Sequence, residues 1–289
     1  MRRLSRYFAS LVIPAFDEGS RLPPLLEALV EAGLERPGRP VEILVVDDGS
    51  SPDHLARHRA CVAAAAARLE GARAPHAVRL VDGGPNQGKA GAVRRGWREA
   101  DPGSAWLGFL DADGAVSAAE AWRLVALLSD DLDVLAGSRI LMAGRRIERS
   151  TYRHLQGRVF ATLTEWTFGL GFYDTQCGVK LLRASLLRPR LGLLAERGWL
   201  LDVEVLALMR RLGARMREEP IDWADPGGSK VRFGVDALRM LLGLRRIRRR
   251  LDGHVAAGAL AAGGPRGQGP AASSEPPSGQ EPLKRACPR

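Results

Sequence analysis

Asp111 and Asp113 stand one residue apart, directly after the apolar run Trp106–Leu110. Two carboxylates at that spacing, on a turning chain, can grip one hard divalent cation and leave positions open for phosphate oxygens. Asp-x-Asp is common by chance, and alone it reads as a loop. A second acidic pair, Asp47-Asp48, closes the apolar run Val41–Val46 and shifts that balance. Two further polar clusters close apolar runs in the same way. Pro14-Ala-Phe-Asp17-Glu18 follows Phe8–Ile13, and Asn86-Gln-Gly88-Lys89 follows Val78–Val81. Helix caps and turn formers account for Ser50, Asp53 and the glycines. They do not account for four polar clusters at four strand ends.

The stretch Gly83–Lys89 has P-loop spacing, G-x-x-x-x-G-K, after a strand and before a helix. A P-loop next needs Ser or Thr to hold magnesium, and position 90 is Ala90, which argues against one. The shared physics survives: a lysine and backbone amides at a helix start suit a phosphate. A dinucleotide fold fits less well still, because the first strand runs into Pro14-Ala-Phe-Asp17-Glu18 and not into a glycine-rich loop. Cys61, Cys177 and Cys287 are too few and scattered for a disulfide framework or a zinc cluster, and the five histidines show no ligand spacing. Cys177 reads as a small buried residue. Trp199 and Trp223 read as packing residues ahead of sugar platforms. Asp202 and Glu204 suit the first turn of a helix, where the dipole favours acids.

The elements that position these clusters alternate. Strands over Phe8–Ile13, Val41–Val46, Val78–Val81 and Trp106–Leu110 interleave with helices over Pro23–Ala32, Asp53–Leu69, Lys89–Ala100 and Ala118–Leu128. That pattern predicts an α/β fold with a mostly parallel central sheet flanked by helices. In such sheets ligands bind beyond the carboxyl ends of the strands, where the polar clusters fall. Further on, a strand over Val134–Ala136 leads into Gly137-Ser-Arg139. Helices are expected over Ser150–Phe168 and Leu200–Leu212, with a strand over Arg217–Ile221. A single domain over residues 1–250 is expected, with a first half at about 8–137 and a second at about 138–250. The Gly/Ala/Pro/Ser-rich stretch 251–289 reads as a disordered tail.

The formal net charge of the 289 residues is +10, and the pI is about 10.4. The tail sets four basic residues against three acidic ones, so the body carries nine of the ten excess positives. A polyanionic partner is implied: nucleic acid, anionic lipid or a phosphorylated substrate. Nucleic acid fits least, because the chain lacks the interleaved aromatic and basic residues of a stacking platform. No uncharged apolar run approaches the ~20 residues of a spanning helix, and the nearest, Phe160–Tyr173, contains Glu165. No h-region precedes Asp17, so a secretory signal is not expected. The cysteine usage points to a reducing, cytoplasmic compartment. The segment Val231–Arg250 mixes apolar residues with Arg245, Arg246, Arg248, Arg249 and Arg250. Either its apolar side packs on the core, or the segment rests on an anionic membrane from the cytoplasmic side.

The motif series resembles the inverting glycosyltransferase family 2. It comprises Val12-Ile-Pro14-Ala-Phe-Asp17-Glu18, Val45-Val-Asp47-Asp48-Gly49-Ser50, Asn86-Gln-Gly88-Lys89, Leu110-Asp111-Ala-Asp113-Gly114 and Gly137-Ser-Arg139. The segments Asp174-Thr-Gln176-Cys-Gly-Val-Lys180, Trp199-Leu-Leu-Asp202-Val-Glu204 and Trp223–Lys230 are similar to the branch that acts on dolichyl and other polyprenyl phosphates. The likeness covers about residues 10–245. Two departures stand out. Eukaryotic members carry a membrane-spanning amino-terminal segment that this sequence does not show, and Val179 stands where an aromatic residue is common.

The resemblance implies a GT-A-type fold and transfer of a hexose from a nucleotide sugar, UDP-glucose foremost, to a lipid phosphate. A soluble saccharide or small phosphorylated acceptor is the alternative. It assigns Pro14, Asp17, Glu18, Asp47 and Asp48 to the nucleoside and Lys89 to the diphosphate. Asp111 and Asp113 take Mg2+ or Mn2+ with the diphosphate, and Asp113 counts as catalytic. Asp174 is either the base or a group that orients acceptor or sugar. Arg139, with Arg149 or Arg153, faces the acceptor phosphate, and Gln176, Lys180, Asp202 and Lys230 belong to the same side. Elementary chemistry agrees, since a divalent cation offsets charge on a departing diphosphate. A phosphate monoester with a second pKa of about 6 is mostly dianionic at neutral pH. Arginines that dock it then matter more than a strong base.

Overall fold

The computed structural model describes residues 6–36, 38–82, 84–140, 147–148, 151–224, 235–258 and 260, with side chains left aside at 147–148, 151–157 and 235–239. The apolar runs form the inner strands. β1 (Ala9–Ala15), β2 (Val41–Asp47) and β3 (Ala77–Asp82) pair in parallel, and β4 (Trp106–Leu110) lies parallel to β1 on its other side. β5 (Val134–Ser138) follows in sequence, but it does not touch β4. Between them lies β7 (Val179–Arg183), antiparallel to both. β8 (Met216–Pro220) closes the edge in parallel with β5, giving the order β3-β2-β1-β4-β7-β5-β8. A parallel pair, β6 (Ile147–Glu148) and β9 (Trp223–Ala224), stands apart from this sheet. Ala224 N donates to Ala115 O at 3.1 Å, which sets the pair against the loop after β4.

Strand alternation divides the core in two. Leu11, Ile13, Ile43, Val45, Trp106 and Leu110 face one layer, formed by α1 (Leu22–Leu34), α2 (Pro52–Gly71) and α4 (Ala118–Ala126). Val12, Leu44, Val46, Leu107 and Phe109 face the other, where α3 (Lys89–Glu99) and the later helices lie. α3 sits close to the sheet because a Cβ on Gly96 would stand 2.5 Å from Val12 Cγ1. After β7 come α6 (Ala184–Leu187), a 3-10 turn over Arg188–Leu193 and α7 (Leu201–Arg211). α5 (Thr151–Phe168) and α8 (Val235–Ala256) meet over a small cluster of Phe160, Val203 and Leu244.

α8 corrects the expected boundary at residue 250. The helix continues to Ala256, Leu251 is buried in the second core layer, and Arg211 pairs with Asp252 at 2.5 Å. The apolar side of the segment therefore packs on the protein's own core through Leu244, Ile247 and Leu251. The arginine run is divided: Arg245, Arg248 and Arg249 are exposed, whereas Arg246 and Arg250 pair with Glu196. Val231 and Phe233 lie outside the described residues. Leu251→Ala should lower unfolding free energy by about 3 kcal/mol, the usual cost of truncating a packed leucine. A urea midpoint equal to that of the wild type would place Leu251 in a solvated tail.

Candidate active site

The loops after β1 and β2 hold each other. Asp17, at φ 54°, accepts from Ser51 N at 2.9 Å, and its own N–H donates to Ser50 Oγ at 3.0 Å. Asp47 Oδ1 accepts from the amides of Gly49 and Ser50 at 3.1 and 3.0 Å, and Oδ2 lies 2.7 Å from His58 Nδ1. Burial would raise the Asp47 pKa, but the Ser50 and His58 hydrogen bonds outweigh it and hold the carboxyl below its usual range. Asp47 is fully enclosed and spends one oxygen on the loop and the other on His58 of α2, so it holds the loop in shape. Asp48 accepts from Gln87 N at 2.9 Å, tying this loop to the one before α3, and burial pushes its pKa up. Glu18 pairs with Arg21, and Pro14 lies on β1 beside Val46.

Lys89 opens α3, behind Gly88 at φ 77°. Its Nζ lies 2.7 Å from Asp111 Oδ1 and 3.7 Å from Asp202 Oδ2. Asp202 also pairs with the fully enclosed Lys180, whose Nζ donates to Cys177 O at 2.9 Å. The order Asp111–Lys89–Asp202–Lys180 alternates in sign from the sheet edge to the core. Burial would lower the Lys89 pKa, but Asp111 and Asp202 together raise it well above the usual lysine range. Burial raises that of Asp111, and Asp202 and Asp113 add to the effect against the opposing pull of Lys89. Lys180 and Asp202 thus brace Lys89 from beneath, and their charges also reach the Arg139–Asp174 pair. The reason is topological, since β7 is an inner strand and position 180 faces the core.

Asp111 and Asp113 fit a divalent ion shared with a ligand. Asp111 keeps 28% of its side-chain exposure, which leaves it open on one side. Its N–H donates to Gly178 O at 2.9 Å, and a Cβ on Gly178 would stand 2.5 Å from its Oδ2. The glycine thus makes a cradle that holds the carboxylate in place. Asp113 Oδ1 accepts from Ala115 N at 3.0 Å, which fixes the turn. No group of three or more potential ligand side chains surrounds a metal position among the described residues. Two carboxylates leave most coordination to phosphate oxygens and water, as magnesium-type sites at phosphates do.

Arg139 and Asp174 engage each other. Arg139 Nε and Nη2 lie 2.6 and 2.8 Å from the two Asp174 oxygens, and the Arg139 N–H adds a bond of 3.1 Å. Glu218 of β8 accepts from the amides of Tyr173 and Asp174 at 2.7 and 2.6 Å, fixing the loop from below. Burial alone would raise the Asp174 pKa, but the Arg139 guanidinium overrides it and holds the carboxyl at about 2. A carboxylate so acidic and so fully engaged is a weak base, so this arrangement supports orientation over proton abstraction. Beside the pair, Ser138 Oγ, Thr175 Oγ1 and Gln176 Nε2 are buried with no hydrogen-bond partner among the described residues. Enclosed polar groups are normally satisfied, and several without partners at one strand end suit a polar ligand. Arg149 and Lys230 lie outside the described residues, as does the side chain of Arg153.

Residues 10–188 match the model for glycosyl transferase family 2. The chain belongs to that family. A dolichyl-phosphate β-glucosyltransferase from Saccharomyces cerevisiae is 32% identical, covering 83% of this chain and 74% of the relative. One from Homo sapiens is 32% identical over 77% and 69%. Among solved structures, glucosyl-3-phosphoglycerate synthase from Mycobacterium tuberculosis, in complex with phosphoglyceric acid, superposes with a TM-score of 0.58. It is 17% identical, over 84% of this chain and 80% of that one, a likeness of fold. The same enzyme with Mn2+, UDP and glucosyl-3-phosphoglycerate gives a TM-score of 0.55 at 16% identity. The chain is thus a family 2 hexosyltransferase with the α/β fold that its strand pattern predicts.

Several residues of this family 2 site were not singled out in the sequence. His54 accepts from Gly19 N at 2.9 Å and His58 holds Asp47, both from one side of α2. Their i, i+4 spacing puts both on one helix face, where each serves a loop contact and not a metal ion. Glu218 and Glu196 gave no local signal, because their partners lie far away in sequence. Cys177 is buried and its thiol is pushed up to about 12 by burial and by Asp174, as befits a packing residue. Trp199, expected to pack, is 45% exposed.

The depressed Asp174 pKa makes a prediction about acid stability. Its contribution is present above the ordinary carboxyl value and is lost as pH falls through about 2. Between about pH 4 and pH 2, the wild type should lose on the order of 2 kcal/mol more unfolding free energy than Asp174→Asn. The variant starts lower, since it leaves the Arg139 charge without its partner. Parallel acid limbs in urea unfolding for the two proteins would contradict this.

Proposed function

We propose that the enzyme transfers glucose from UDP-glucose, with inversion, to the phosphate of a dolichyl or other polyprenyl lipid, with Mg2+ or Mn2+ held by Asp111 and Asp113. One observation carries the reading: a carboxylate cluster around Lys89 and an arginine–carboxylate pair at Arg139 lie on one sheet edge. The first is the group of carboxylates around Lys89, which draws a cation and through it a diphosphate. The second is Arg139 with Ser138, Thr175 and Gln176, which have buried polar atoms without partners among the described residues. The segment Asp174–Gly178 joins them, lining the pocket at one end and cradling Asp111 at the other. The names of the curated relatives support the lipid acceptor. The complexes of the mycobacterial synthase with UDP, UDP-glucose, Mn2+ and Mg2+ support donor and metal.

The bound cation would offset charge on the departing diphosphate. Lys89 supplies a second positive charge at a helix start, where backbone amides favour phosphate. Asp17, Asp48 and Glu18 line the nucleoside end, on loops that Asp47, His54 and His58 hold in shape. Arg139 receives the acceptor phosphate through its remaining guanidinium N–H groups, while Asp174 holds the Nε–Nη2 edge and so orients it. A dianionic phosphate oxygen attacks the anomeric carbon as the bond to UDP breaks, and no strong base is needed.

The lipid acceptor implies work at a membrane surface, from the cytoplasmic face. Among the described residues no helix is long and apolar enough to cross a membrane. Val159 and Trp166, seven residues apart on α5, are 54% and 80% exposed, and on α8 Leu242 is 52% exposed near exposed Arg245 and Arg249. An amphipathic, basic surface of this kind suits an anionic interface.

The direct test offers a panel of radiolabelled nucleotide sugars with Mn2+. The acceptor is polyprenyl phosphate in anionic vesicles or phosphoglycerate in solution. Label should enter the organic extract from UDP-glucose, and neither EDTA-treated enzyme nor Asp113→Asn should transfer it. Full turnover in EDTA would overturn the metal assignment, and label confined to the soluble acceptor would replace the lipid reading.

A further inference from the structure

Residues 194–200 cover the start of α3. The carbonyl of Arg197 occupies the space beside Gly88, where a Cβ would come within 2.7 Å of it. Only a glycine at the N-cap allows so close an approach, and its φ of 77° also favours glycine. Three groups hold this covering loop. Glu204, fully enclosed in the first turn of α7, accepts from the amides of Ala195 and Glu196, each at 3.0 Å. Arg94 of α3 donates to the Glu196 carbonyl. The Glu196 side chain, 4% exposed, is gripped by two arginines of α8: Arg246 Nε at 3.0 Å and Arg250 Nη2 at 2.8 Å.

The two arginines stand four residues apart, one helical turn, so both forks reach one carboxylate. Arg250 also reaches Glu204, which links side-chain and backbone anchors of the loop. α8 abuts the end of the loop as well, since a Cβ on Gly243 would stand 2.1 Å from Leu200 Cδ1. The core contacts of α8 run through Leu244, Ile247 and Leu251. An enclosed carboxylate between two arginines is therefore not needed to hold the helix in place. Its effect falls on the loop, and through the Arg197 carbonyl on Gly88 and Lys89.

We propose that Glu196 is a positioning residue for the donor diphosphate. Gripped by Arg246 and Arg250, it seats the covering loop on Gly88 and so fixes the helix start that receives the phosphates. The inference rests on the donor reading of Gly88 and Lys89 given above. It predicts a loss confined to the phosphate end of the ligand. The nucleoside end is held by the loops after β1 and β2, through Asp17, Ser50, His54 and His58, and of its residues Asp48 borders the clamp through the Gln87 amide. It also makes the carboxyl-terminal helix part of the donor site, with Arg246 and Arg250 committed to Glu196 and Arg248 to Asp252.

Calorimetric titration of UDP and of uridine, each with Mn2+, separates the possibilities. Glu196→Gln and Arg246→Ala should each weaken UDP by roughly tenfold, the scale of supporting-shell substitutions, and leave uridine unchanged. Arg246 is 59% exposed at its side chain, so its removal opens no core cavity and keeps the test valid if Glu196→Gln folds poorly. Wild-type UDP affinity in Arg246→Ala, or equal weakening of UDP and uridine, would overturn the proposal. Failure of the wild type to bind UDP, or wild-type UDP affinity in Lys89→Met, would instead remove the donor reading on which it rests.

Discussion

Lys180 carries a full positive charge on an inner strand, at a position with no solvent, and much of the site follows from satisfying it. A buried ammonium is tolerated only beside a carboxylate, and removing such a partner costs about 3–5 kcal/mol. Asp202 provides that partner, which fixes the start of α7 against β7. The second oxygen of Asp202 faces Lys89, which draws the start of α3 to the same point, and Lys89 in turn reaches Asp111 at the end of β4. Four elements are thereby registered by one line of alternating charge. The line leaves its outer end, Asp111 with Asp113, rich in carboxylate and open to a cation.

A second pair does comparable work on the other side of Gly178. Arg139 and Asp174 hold each other with three hydrogen bonds, and Glu218 fixes the backbone beneath them. Each site is charged but internally matched, so a ligand must offer more than charge. It must offer several oxygens at once, to the remaining guanidinium N–H groups of Arg139 or to a cation beside Asp111 and Asp113. Phosphates meet that demand in both places, which suits the donor and acceptor proposed for this family 2 hexosyltransferase.

The legibility of this arrangement follows the range of the interactions. β1, β2 and β4 are apolar runs with punctuation at their carboxyl ends, so both the strands and the clusters Asp47-Asp48 and Asp111-Ala-Asp113 could be placed from local sequence. β7 could not, because Lys180 and Arg183 interrupt its apolar run and only the fold shows that Asp202 of α7 and Asp133 before β5 pair with those charges. Arg139 and Asp174 were each visible as site residues, yet their union spans thirty-five residues and has no local signature. The arginine run of α8 was legible as charge but not as structure. Glu196 and Glu204, which receive two of its members, lie about fifty residues earlier.

The central claim is that the carboxylates around Lys89 bind a nucleoside diphosphate through a divalent cation. Calorimetric titration of UDP with and without Mn2+, for the wild type and for Asp111→Asn, tests it most directly. The account predicts that Mn2+ strengthens UDP binding to the wild type by at least roughly tenfold, the low end for a coordinated ligand, and leaves Asp111→Asn unchanged. UDP binding to the wild type that is as tight in EDTA as in Mn2+ would contradict it.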